Sequence, residues 1–305
     1  MSSIIFGPIN SRRFGKSLGV DLSPNTKQCN FDCLYCELKS TKVVDNQSNI
    51  VPLKEVVNAI KEALNEHKDI DVLTLTANGE PTLYPYLNEL IEQINSFKGN
   101  IKTLILTNSS TINESKVQEA LKKLDSVKLS LDCATQKCFK KLDRASKNID
   151  LEEIKKGILE FSKNYKGNLI IEILFVKGIN DNLEEVEKLN NFLLKLKPTR
   201  VDLSTIDRPP AFDIKPISYD KLYELSLGFD KSLPIVIASR QKNKAKLFDY
   251  TKEEILNTLS MRPLTIDDIN TLFSKESIKR FKELLNEQKI EKTTSSKVEF
   301  YRSKE

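Results

Sequence analysis

Histidine is almost missing from this chain of 305 residues: His67 stands alone. A single imidazole argues against His-based acid–base catalysis and leaves zinc sites short of their usual nitrogen ligands. No apolar run reaches the length of a membrane span. Met1–Phe6 has no basic segment followed by a long apolar stretch, so no signal peptide is read there and no membrane partner is expected. Repeats, low-complexity tracts and a second C-x2-C pair are also missing. Charge is nearly balanced: 48 Lys and Arg against 43 Asp and Glu leave +5. That tolerates nucleic acid without demanding it. What is present is a 39% hydrophobic composition, enough for one large α/β domain and a small appendage. Five cysteines, three of them clustered, suit a reducing compartment, and a cytoplasmic location is expected. Oligomeric state is not legible.

The three cysteines stand in Cys29-Asn30-Phe31-Asp32-Cys33-Leu34-Tyr35-Cys36. This C-x3-C-x2-C run places an aromatic residue, Tyr35, before the third cysteine. Three thiolates can hold three corners of a 4Fe–4S cube, where full protein ligation needs four, so one iron stays open to a small molecule. Zinc is the competing reading. It needs a fourth ligand from His67, Cys133, Cys138 or a carboxylate. Cys133 and Cys138 flank a helix start and are read as packed thiols. His67 ends a helix and is read as exposed.

From Leu22 to about Thr205 short apolar runs alternate with amphipathic stretches. Strands are expected at Ser17–Leu22, Val72–Thr76, Thr103–Thr107, Val127–Leu131, Leu169–Val176 and Arg200–Ser204. Helices are expected at Leu53–His67, Tyr86–Phe97, Glu114–Leu124, Leu151–Tyr165 and Leu183–Leu196. Such alternation predicts a parallel sheet with helices outside it. Six units suit an incomplete barrel, with a flavodoxin-like doubly wound sheet as the alternative. In both, ligands collect at the C-terminal strand ends. Beyond about Ser239 the pattern changes to helices at Thr251–Leu259, Thr265–Phe273 and Glu276–Gln288. Thr251/Glu254 and Thr265/Asp268 form capping boxes. A ribbon over Ile290–Tyr301, turning at Thr294-Ser295-Ser296, follows. Three short helices and a hairpin predict a winged-helix-like domain, giving boundaries of 1–245 and 246–305.

The cysteine run resembles the cluster loop of the radical S-adenosylmethionine (SAM) enzymes. Asn78-Gly79-Glu80-Pro81 resembles their Gly-Gly-Glu loop, whose backbone oxygens bind the SAM amino group, with Asn78 replacing the first glycine. Thr107-Asn108-Ser109 is similar to their Thr-Asn-Gly. Ser130-Leu131-Asp132 ends the next strand. The resemblance implies a partial (β/α)6 TIM-like barrel of the radical SAM type, a 4Fe–4S cluster on Cys29, Cys33 and Cys36, and SAM contacts from Tyr35, the Asn78–Pro81 loop, Asn108, Ser130 and Asp132. Arg144 is expected to meet the SAM carboxylate. Glu172, an acid inside an apolar strand, is expected to face the interior. The implied chemistry is one-electron reduction by a flavodoxin or ferredoxin, cleavage of SAM to methionine and a 5′-deoxyadenosyl radical, and hydrogen abstraction from substrate. The run Gly79-Glu80-Pro81-Thr82-Leu83, Arg12-Arg13 and Asp207-Arg208-Pro209-Pro210 resemble a branch that includes the wyosine-forming tRNA enzymes. RNA, above all tRNA, is therefore the first candidate substrate. A protein side chain or small metabolite is the second. An iron–sulfur sensor binding DNA through the winged helix is the third reading.

Overall fold

The computed structural model describes residues 4–11, 14–237, 247, 249–261, 263–295 and 298–304. Seven strands run parallel in chain order: β2 (Gly15–Asp21), β3 (Val72–Thr76), β4 (Lys102–Thr107), β5 (Ser126–Ser130), β6 (Asn168–Phe175), β7 (Arg200–Thr205) and β8 (Ile235–Ile237). One more strand, β1 (Ile5–Ser11), pairs antiparallel with β2 at the edge. The connections carry α1 (Leu53–Glu66), α2 (Leu87–Phe97), α3 (Ser115–Leu121), α4 (Gln136–Leu142), α5 (Leu151–Asn164), α6 (Leu183–Leu196) and α7 (Tyr219–Ser226). This eight-stranded, mostly parallel sheet is the expected partial barrel.

Period-two alternation sorts each strand into two faces. Leu73 and Leu75, Val127 and Leu129, and Ile171 and Ile173 join one core with the buried stripes of the helices, such as Val56 and Ile60 of α1. The opposite face is not filled. Leu106, Ser130, Glu172, Leu174, Ser204 and Val236 are half-buried or exposed there, whereas a closed barrel packs its interior in layers. Glu172 therefore does face inward, bonded at 2.6 Å by Lys128 of β5. Lys128 also lies 3.4 Å from Asp202 of β7.

β1, α4, α7 and β8 are among the elements that escape the sequence pattern. Gly7-Pro8 interrupts β1, and its pairing slips between Phe6 and Ile9, so the apolar alternation breaks. β8 has only three residues and α4 only seven, too few to show a period.

Two side-chain expectations are overturned. Cys133 and Cys138 are not packed thiols but a disulfide. Thr135 caps α4 by accepting from Cys138 N at 3.2 Å, and Glu185 accepts from Ala134 N at 2.6 Å. The turn thus folds Cys133 over the first turn of α4, bringing the two Cα atoms to 5.6 Å, within bridging range. His67 is not exposed either. Its Nε2 lies 3.4 Å from Glu254 Oε1, with 19% of the side chain accessible, because a later helix packs on the end of α1.

That helix is α8 (Lys252–Met261), followed by β9 (Leu264–Thr265), α9 (Ile266–Leu272), α10 (Lys275–Asn286), β10 (Ile290–Ser295) and β11 (Val298–Ser303). The strands form an antiparallel sheet in the order β10-β11-β9. Both capping boxes are present. Tyr250, Leu259, Phe273 and Phe281 make a second core that takes in Ile9 of β1, and Tyr250 Oη donates to the Pro8 carbonyl. The boundary expected at 245/246 and the pair Arg12-Arg13 fall outside the described residues, as does Ser296 of the expected turn. No helix among the described residues is long and apolar enough to cross a membrane.

Asp125 ties β4 to the loop before β5. Burial works to raise its pKa, but bonds from Thr103 N and Oγ1 and from Lys98 and Lys102 hold the carboxyl down at about 2. A depressed carboxylate stabilises above its unfolded pKa and loses that contribution as pH falls through the folded value. Asp125→Ala is expected to cost about 1 kcal/mol at pH 7, after discounting for its partial exposure. In urea titrations the gap to wild type should shrink between pH 4 and pH 2.

Candidate active site

The loop after β2 carries the cysteines, and the turn after β3 fixes where that loop begins. Gly79 has φ +136°, and its backbone runs so close to Gln28 that a Cβ would sit 1.9 Å from the Gln28 carbonyl oxygen. Only glycine tolerates both. Gln28 N donates to Asn78 O at 2.9 Å, and Glu80 N to Gln28 O at 3.0 Å, a short parallel bridge ending one residue before Cys29. The Gln28 side chain is buried, accepting from Ser48 and Asn49 N and donating to Ser23 Oγ. Asp21 at the end of β2 accepts from Ser23 and Asn78 N, and burial raises its pKa to about 6.

Glu80 is buried and occupied. It accepts from Thr82 N and Oγ1, Thr107 Oγ1 and Asn108 N, at 2.6 to 2.9 Å. Its side chain thus locks the ends of β3 and β4 together. Asn108 donates to Asn30 Oδ1 at 2.9 Å and reaches Cys29 Sγ at 3.6 Å. Tyr35 Oη donates to Asp132 Oδ2 at 2.5 Å, while Asp132 Oδ1 accepts from Leu174 N at 2.7 Å. Burial raises the Tyr35 pKa and pushes Asp132 up to about 7. Cys33 Sγ lies 3.8 Å from Asp143 Oδ1, another buried carboxyl whose pKa burial raises.

One pocket gathers Tyr35, Asn108, Ser130 and Asp132 with Phe31 and Asp143. Four of the residues read from sequence thus line one void of about 10 Å³, shared with core side chains such as Phe139 and Ile154, and Asn108 reaches Cys29 from it. Arg144, at φ +49°, lies outside that lining; its guanidinium is 3.6 Å from Asp32 and stacks on Phe212. The Asp207–Pro210 loop closes over the cysteine loop, with Arg208 Nη1 2.5 Å from Glu37 and Ala211 N donating to Cys36 O. Sequence reasoning passed over Gln28, Lys27, Asp32, Lys128 and Asp202. Lys128 was detectable, being a charge inside an apolar strand like Glu172.

Cys29, Cys33 and Cys36 are the free cysteines. Burial pushes Cys29 up to about 12 and raises Cys33 and Cys36. Such thiols keep their protons at neutral pH unless a metal group displaces them. The zinc reading does not fit. One tetrahedral ion with Zn–S near 2.3 Å keeps its sulfurs within about 4 Å of one another. Among the described residues, the trios of donor atoms within 4.8 Å of one another are Cys133–Cys138–Glu185 and Glu66–His67–Glu254, and the loop cysteines are not among them. The wider spread suits a multi-iron cluster with three protein ligands.

The model of the radical SAM superfamily matches residues 24–193, and the chain belongs to that superfamily. Among its relatives is a UPF0026 protein of Helicobacter pylori, 44% identical over 98% of this chain and 97% of its own length. A UPF0026 protein of Methanocaldococcus jannaschii is 31% identical over 90% and 88%. The fold is similar to a radical SAM methyltransferase from Sphaerobacter thermophilus, with a TM-score of 0.57, 15% identity, and coverage of 74% of this chain and 67% of that one. The superfamily uses a 4Fe–4S cluster and SAM.

Gly79→Ala drives a methyl group into Gln28 and displaces the start of the cysteine loop. Iron and acid-labile sulfide after anaerobic reconstitution are expected to fall several-fold, with the far-UV spectrum unchanged. Cys33→Ala should abolish the brown chromophore.

Proposed function

We propose that this protein is a radical SAM enzyme that modifies RNA, with a winged helix spanning about residues 246–305 as its RNA-holding unit. In this superfamily a reduced 4Fe–4S cluster supplies the electron that cleaves SAM. This chain's part is to hold three thiolates, keep water from them beneath the Arg208 loop, and orient SAM. Asn108, Ser130 and Asp132 are assigned to that orientation together with Tyr35, the backbone of Asn78–Pro81, Arg144 and Glu172. A flavodoxin or ferredoxin in the cytoplasm is assigned as the electron donor.

The observation that carries the RNA reading is the exposed face of α10. In sequence its lysines are mixed with acids. In the fold Lys252 of α8 takes Glu283 at 3.0 Å and Glu287 at 2.7 Å, and Asp249 takes Arg280 at 2.6 Å. Lys275, Lys279 and Lys282 remain exposed in line with Asn286, paired with no acid among the described residues. At 1.5 Å rise per residue the three lysines span about 10 Å, enough to follow neighbouring phosphates. Glu283, four residues after Lys279, is the α10 acid nearest that line, and Lys252 takes it. The element order helix–strand–helix–helix–strand–strand, with the sheet order β10-β11-β9, supports the winged-helix assignment.

The second reading, a small polar substrate, is favoured by the open inner face and its Lys128–Glu172–Asp202 cluster. Two measurements separate the readings. The reconstituted, dithionite-reduced protein should release 5′-deoxyadenosine from SAM, and Cys33→Ala should release none. Bulk tRNA should bind with an affinity falling steeply with salt, and changing the three lysines to Gln should lower the log–log slope by about 2. No binding at low salt removes the RNA reading and leaves the inner face as the substrate site.

A further inference from the structure

Lys27 belongs to none of the motifs above, yet its side chain is only 7% exposed, two residues before Cys29. Its Nζ lies 3.1 Å from Asp32 Oδ1. Asp32 stands between Cys29 and Cys33, and its own side chain is also 7% exposed. Asp32 Oδ2 accepts from Ser40 Oγ at 2.7 Å, and Arg144 Nη2 approaches that oxygen at 3.6 Å. The ammonium is therefore pinned. Its field falls first on Cys36 and more weakly on Cys29, and on Cys36 it is the largest charge effect.

A buried ion pair is weak evidence for stability, because desolvation offsets most of the attraction. Lys27–Asp32 also ties no two elements together; the residues are five apart in one loop. What the arrangement does is keep a positive charge inside the loop that holds three thiolates. The other charges around those thiolates are carboxyls: Glu80 near Cys29, Asp143 and Asp132 near Cys33, and Glu37 near Cys36, the last held by Arg208. Burial raises the pKa of Glu80, Asp132 and Asp143. The carboxylate of Asp32, 3.1 Å from the ammonium, is the group that directly offsets the cation.

We propose that Lys27 is a positioning residue that sets the reduction potential of the cluster held by Cys29, Cys33 and Cys36. Adding one electron makes the ligated group more negative, so a fixed cation inside the cysteine loop favours the reduced form. The electron comes from a low-potential one-electron donor, and no proton or bond changes at Lys27. Asp32 acts in the opposite sense and holds the ammonium in place. The inference rests on the radical SAM reading but is measured apart from it.

The test is a redox titration of the reconstituted protein, followed by the electron paramagnetic resonance signal of the reduced cluster. Lys27→Gln should make the potential more negative, lowering the reduced-to-oxidised ratio about tenfold at a fixed ambient potential, which is 59 mV for one electron. Lys27→Arg should stay near wild type. Asp32→Asn should move the potential the other way. A loosened loop lowers the iron content of both neutral variants and produces no opposite-signed pair. Unchanged potentials in fully loaded Lys27→Gln and Asp32→Asn overturn the proposal. If Lys27→Gln loads no cluster, Asp32→Asn decides alone, and the lack of a positive shift overturns it. Loss of 5′-deoxyadenosine formation in wild type would instead remove the radical SAM reading, leaving the potential comparison standing.

Discussion

The site depends on one close backbone approach, Gly79 against Gln28. It joins the turn after β3 to the residue before Cys29, so the cysteine loop is an extension of the sheet rather than a free excursion. Around it lie two buried side chains whose bonding capacity is used locally. Gln28 fastens the descending limb of the loop near Asn49, and Glu80 fastens the end of β4. Buried polar groups are tolerated when so satisfied, and each then specifies one arrangement. The thiols inherit their positions from this frame, and the pocket bounded by Tyr35, Asn108, Ser130 and Asp132 inherits its shape.

The rest of the fold supports that frame from outside. The helices bury one face of the sheet and leave the other open, which a partial barrel permits and a closed one does not. The strand ends that meet the cysteines, β3 to β5, are central in the sheet and paired on both sides. The edge strand β1 is covered by the C-terminal unit through Ile9, Tyr250 and the contact of His67 with Glu254. The one histidine thus packs at the contact between α1 and α8.

Much of the architecture was legible because parallel strands and amphipathic helices write strong periods. β3 and α6 fall where the alternation places them, and both capping boxes of the C-terminal unit are local signals. β1, α4, α7, β8 and β9 were not legible. Each is too short or too interrupted to show a period, and each exists because its neighbours supply partners. The cysteine run was legible as a spacing. The disulfide of Cys133 and Cys138 was not, since it depends on how Thr135 and Glu185 fold the turn before α4.

The sequence by itself determined the cysteine spacing and the six-unit barrel, because residue spacing and strand period are short-range properties of the chain. Tertiary structure decided which charges face one another. Lys27 meets Asp32 inside the cysteine loop, Lys128 meets Glu172 and Asp202 across three strands, and Lys252 takes Glu283 and Glu287 while the α10 lysines stay exposed. Such pairings follow from distance in space, not from separation along the chain. Charge counts near balance in the sequence therefore say little about the local fields the fold creates.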